Sequence, residues 1–162
     1  MQALRNVSLS FVIVFALVLQ ACGASNFATD LRLALAVSAP FIESLQLGGK
    51  KAQVIADFTE LGNDAAQMAD SINGCAGSKP CELTAVQTFE SQFEPIANRD
   101  FGNIPKLAQV ESLVRGILAA AKIYYSAKPP AGAHPVPSAS QGDPLVTIKQ
   151  KTAQLKALTH QQ

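Results

Sequence analysis

The 162-residue chain has no tryptophan, only two histidines and three cysteines, and charged residues make up 15% of it. Each shortage removes a class of chemistry. Both histidines, His134 and His160, fall near the C-terminus, away from the stretches whose apolar periodicity predicts a packed body. A Ser/His/Asp or Cys/His arrangement needs a base held by packed surroundings, and a zinc site needs clustered His or Cys ligands, so neither is expected. The formal net charge is +1, which gives no electrostatic case for nucleic acid. Strict alternation of apolar and polar residues is missing, so strands are not expected. The pair Gly48-Gly49 followed by Lys50-Lys51 lacks the Gly-x-x-x-x-Gly-Lys-Ser/Thr spacing of a phosphate loop. No cofactor and no metal are implied, and without a catalytic set the chain reads as non-enzymatic.

What the chain does have is an apolar opening. Met1 to Asn6 carries one positive charge at Arg5, and Val7 to Leu19 is apolar, ending in Leu19-Gln20-Ala21-Cys22. The run is shorter than the roughly 20 residues of a spanning helix and has no basic stop-transfer cluster after it, so it reads as a cleaved signal. Leu19, Ala21 and Cys22 resemble the lipobox of bacterial lipoproteins, with a leucine three positions before the cysteine and a small residue immediately before it. Gln20 stands where Ala or Ser is more usual. The resemblance covers residues 1–22. It implies cleavage after Ala21, a diacylglyceryl thioether on Cys22 and an acylated amine, and so attachment to a membrane through lipid. Gly23 is not the aspartate that favours inner-membrane retention, which in a Gram-negative cell implies the periplasmic face of the outer membrane. Cysteine parity agrees, because lipidating Cys22 leaves Cys75 and Cys81 as a pair.

The mature chain is long enough for one domain and a tail. Phe27 to Leu47 is rich in Ala and Leu, and Pro40 divides it into one helix ending near Val37 and a second starting near Ala39 under a Ser38 cap. Lys50 to Ile72 has the clearest helical period, with Val54, Phe58, Leu61, Ala65, Met68 and Ile72 on one face. Asp57, Glu60 and Asp64 share another face, and Glu90 with Glu94 repeats the spacing. Such carboxylates could act as acid and base or bind calcium, but the expectation is a solvated face. A third helix is expected from Glu82 or Thr84 to Ala97, and a fourth from Ile104 or Pro105 to Tyr125. Asn73 to Cys81 is dense in turn formers and reads as a loop closed by a Cys75–Cys81 disulfide in an exported protein. Phe58, Phe89, Phe93 and Tyr124 are candidates to line an apolar pocket between helices, although aromatics at this spacing more often fill a core.

After Tyr125 the composition changes. Pro129, Pro130, Pro135, Pro137 and Pro144 fall among Ala, Gly and Ser, which predicts a flexible arm. Leu145 to Leu158 is a short amphipathic segment with Lys149, Lys151 and Lys156, capped by Asp143 and expected to lie outside the packed body or to order on a partner. The expected organisation is therefore a signal peptide at 1–21, an all-α bundle of about four helices at 22–126, a Pro-rich linker at 127–144 and a basic tail at 145–162. The functional expectation is an envelope lipoprotein that acts as a scaffold or accessory subunit through protein contacts. The alternative is a small helical module that binds a lipid or another apolar ligand.

Overall fold

The computed structural model describes residues 27–102, 104–127 and 143–160. The signal peptide, Cys22, most of the Pro-rich linker and His134 lie outside them. Within the described residues the chain is all-helical, with six α-helices: α1 (Phe27–Leu35), α2 (Ala39–Glu43), α3 (Lys51–Gly74), α4 (Lys79–Ile96), α5 (Pro105–Ser126) and α6 (Pro144–Thr159). A 3-10 turn over Gly48–Lys50 leads into α3, and a π turn over Ala97–Phe101 follows α4.

Local chemistry sets the breaks. Pro40 cannot continue α1, and Ser38 starts α2 by accepting from the Phe41 N–H at 3.3 Å. Gly48 adopts a positive φ of 52° at the turn into α3, a conformation that disfavours a side chain. Cys75 and Cys81 are joined by a disulfide with Cα atoms 5.6 Å apart, closing the α3–α4 turn. Gly77 (φ 82°) and Ala76 (φ 47°) lie inside that loop. Pro95 sits in the last turn of α4, and the helix relaxes into the π turn just beyond it.

The helices pack as a closed ring. α1 lies against α3, α3 against α4, α4 against α5, α5 against α6, and α6 returns to α1. One core runs through the ring, and Leu31, Leu35, Leu61, Phe89, Phe93, Phe101, Leu107 and Ile117 are among its fully buried side chains. On the outside of the α4–α5 seam, Arg115 bonds Glu94 and Glu111 while Lys122 bonds Glu90 at 2.6 Å, so the second acidic pair of the sequence is spent on ion pairs.

Two expectations are corrected here. The bundle has more helices than about four, and the segment read as a tail is part of the ring. α6 buries Ile148, Thr152, Leu155 and Thr159, spaced by four, three and four residues on one helical face. Two of these are threonines, which interrupt the apolar stripe and make the segment look too weak to pack. Their hydroxyls explain the choice in one case. Thr159 donates to the Ala34 carbonyl at 2.7 Å, the Ser38 N–H and hydroxyl donate to the Thr159 carbonyl, and Lys156 pairs with Asp30 at 2.7 Å. The Lys151 side chain of α6 lies across Gly116 of α5, where a Cβ would come within 2.6 Å of it and would have to displace its flexible end.

Candidate functional site

Two features near one end of the bundle concentrate the chemistry. The first is an open groove of about 560 Å³ between α1, α2 and α3. It exists because α2 is short and because Ala36, Ala39 and Gly62 line it without filling it. Leu35, Ile42 and Phe58 form its apolar floor, while Ile55, Thr59 and Asn63 stand along its α3 side. Its lining on α3 runs from Lys51 to Asn63, about 18 Å at 1.5 Å per residue. Ile55 is 43% exposed, an uncommon position for so large an apolar side chain. Lys51 is paired with Glu43 at one end of the groove. Arg32, exposed on the α1 side, makes no ion pair among the described residues.

The second feature is a carboxylate pair that sequence reasoning divided wrongly. Spacing alone groups Asp57 with Glu60 and Asp64 on a solvated face and gives no reason to single out Asp100, which lies between the predicted third and fourth helices. Glu60 is exposed, but Asp57 is 4% exposed, Asp64 is buried, and the π turn carries Asp100 inward to meet Asp57. Arg99 spans the two, its Nη2 donating to Asp57 Oδ1 at 2.5 Å and its Nε to Asp100 Oδ2 at 2.7 Å. Gln53 also donates to Asp100. Asp57 Oδ2 is buried and receives no donor among the described residues.

The environment separates the two acids. Burial and the hydrogen bond with Asp100 push Asp57 up from 3.8 to about 6 against the opposing pull of Arg99. Burial also acts on Asp100, but hydrogen bonds from Asp57 and Arg99 outweigh it and hold this carboxyl below its ordinary value. A proton on Asp57 turns a carboxylate short of donors into an O–H donor toward Asp100. Asp64 is also pushed up, by burial and by Glu60. Neither Asp57 nor Asp100 lines the groove, so the pair has no substrate space beside it there. It ties α3 to the α4–α5 connection. Only the Asp-Arg-Asp connectivity, invisible without the fold, distinguishes it from surface charge.

The four aromatic candidates do not share one pocket. Phe41, Phe58, Phe101, Phe93 and Phe89 form one chain of ring contacts with centroids 5.6 to 6.4 Å apart. Phe89 and Phe93 are core, and Phe58 reaches the groove with one side. Tyr124 belongs to a second chain with Tyr125 and Phe27, and Lys79 lies 4.8 Å over its ring. Tyr125, rather than Tyr124, is the buried member of that pair, and burial with nearby Glu82 pushes its hydroxyl pKa well up. Among the described residues no cluster of His, Cys, Asp and Glu could hold a metal ion, and no helix is long and apolar enough to cross a membrane.

Comparison with protein-family models, with curated proteins and with solved structures finds no match.

Proposed function

We propose that this protein is a non-enzymatic envelope lipoprotein, anchored through Cys22, that works by contact along the groove between α1, α2 and α3. The anchor rests on the lipobox resemblance. The contact surface is supported by one observation: an elongated apolar trough with a half-exposed isoleucine and an arginine that has no ionic partner among the described residues. Such a trough suits an amphipathic helix from a partner protein, its apolar stripe on Leu35, Ile42 and Ile55 and a carboxylate beside Arg32. Apolar area supplies the binding free energy, and the single charge fixes the register.

The test is a photo-crosslinking residue placed at position 55 in the acylated protein in native envelopes, with Gln150 on α6 as the control position. The expected result is one discrete protein adduct at 55, lost on Arg32→Glu, and none at 150. Adducts of equal yield at both positions, or none at 55, would contradict the reading. A second reading follows from the groove's volume, which lies within the range of small-ligand sites. There the occupant is an apolar small molecule, and a copurifying lipid lost on Ile55→Asp would identify it in native mass spectrometry.

A further inference from the structure

The helix directions give the bundle two unlike ends. Phe27, at the start of α1, meets Tyr125 at the end of α5 with ring centroids 6.1 Å apart. Lys79, at the start of α4, lies over Tyr124 and donates to its carbonyl at 3.4 Å. The Cys75–Cys81 turn precedes α4 at that same end. α6 runs antiparallel to α5, since Lys151 lies on Gly116 while Gln154 and Leu158 share a hollow with Ser112 and Gln109. The start of α6 therefore joins this end too. The opposite end holds α2, the start of α3, the π turn and the groove.

Chain length decides which end can meet a bilayer. Cys22 lies five positions before Phe27, and five residues span at most about 18 Å even when fully extended. α5, with 22 residues, is about 33 Å long. Acyl chains on Cys22 thus hold the Phe27 end nearest the bilayer, with α2 and the start of α3 farther from it; the groove opens from Arg32, about 8 Å along α1 from Phe27, toward that far end. Two of the exposed large apolar side chains stand at this end, Ile123 at 59% and Val146 at 58% exposure. With them is the half-buried Tyr124 ring carrying Lys79, an aromatic and cation pairing suited to the interface between headgroups and water. Charges at this end are of both signs, Lys79 and Lys149 against Glu82 and Asp143, so the attraction does not depend on anionic lipid.

We propose that the end of the bundle bearing Ile123, Tyr124 and Val146 is a membrane-docking face that seats on the lipid bilayer and points the groove away from it. This rests on the lipid-anchor reading of Cys22. Docking turns attachment at one point into a fixed orientation.

The absence of tryptophan makes the test direct. Single variants Ile123→Trp, Val146→Trp and Ile55→Trp are made in the acylated full-length protein and reconstituted into vesicles of brominated phosphatidylcholine. All three positions are exposed, so the folded state tolerates the ring. Ile123→Trp and Val146→Trp are expected to lose at least about half their emission by contact with the acyl boundary, at 300 mM salt as at low salt, and Ile55→Trp to lose none. Equal emission from all three, with the acyl mass on Cys22 confirmed in the same sample, would overturn the docking face and leave the anchor standing. Quenching of Ile55→Trp alone would overturn it by reversing the molecule. Shielding of positions 123 and 146 from iodide without quenching by bromolipid would also overturn it, by showing a protein contact there. Absence of acyl mass would remove the anchor reading itself, and the docking face with it.

Discussion

Asp57 is held where its charge is least stable, desolvated and beside a second carboxylate, with only Arg99 in compensation. Because its pKa rises from 3.8 to about 6 on folding, the folded chain keeps a proton that the unfolded chain has released. The stabilisation this gives is complete below about pH 4 and is lost as the pH rises through 6. Asp64 acts in the same direction, and Asp100 in the opposite one, losing its contribution as the pH falls through its lowered pKa. Between pH 5 and 7.5 Asp57 loses about 1 to 2 kcal/mol of this contribution, the rest having gone between pH 4 and 5. Thermal melts should therefore show a Tm that falls as pH is raised over this window. Asp57→Asn should flatten that slope and raise the Tm at pH 7.5, since the amide still accepts from Arg99 and donates to Asp100. A slope unchanged by the substitution would contradict the assignment. The two buried threonines of α6 make a second pair of opposites. Thr152 Oγ1 has no partner among the described residues, so Thr152→Val should stabilise by up to about 1 kcal/mol, whereas Thr159→Val strips a donor from the Ala34 carbonyl and should cost about 1 to 2 kcal/mol. Chemical denaturation of both variants checks the sign. None of this was legible in the sequence, where an aspartate at helical spacing looks the same whether a distant arginine meets it or water does.

At the scale of elements, the helices with a continuous apolar stripe were legible and the one with a mixed stripe was not. Val54, Phe58, Leu61, Ala65, Met68 and Ile72 announce α3, and all six are buried on it. The Ser38 cap and the Pro105 start are local signals and stand where local chemistry puts them. α6 was misjudged because its burial depends on a groove that exists only once α5 and α1 are placed side by side. Its fully buried Leu155 tests whether it folds with the rest. Leu155→Ala should cost about 2 to 4 kcal/mol and lower one cooperative transition for the whole bundle. A separate early transition, or no loss, would mean an independent tail. The α3–α4 disulfide spans a sequence separation of six, and opening it with Cys75→Ala and Cys81→Ala together should cost about 2 kcal/mol in the chain-entropy treatment, read from urea midpoints. The pairing itself was legible from cysteine parity and from turn formers between the two positions. The aromatic pocket was not, because periodicity assigns residues to faces but says nothing of which faces meet.

For the whole molecule, the account joins an anchor, an orientation and a contact surface. In the proposed reading specificity falls to the groove, where small residues at Ala36, Ala39 and Gly62 line the space between the helices without filling it. In the same reading, acylation at Cys22, five positions before Phe27, decides which face looks outward. The anchor is the premise on which orientation and partner both depend, and it rests on the linear pattern of Leu19, Ala21 and Cys22 rather than on anything the fold builds. Intact mass of the membrane-extracted protein, with and without reduction and beside a Cys22→Ser control, tests it most directly. The account predicts a chain beginning at Cys22 that carries acyl mass and gains two hydrogens on reduction at Cys75 and Cys81. A chain without acyl mass, released into solution, would contradict it.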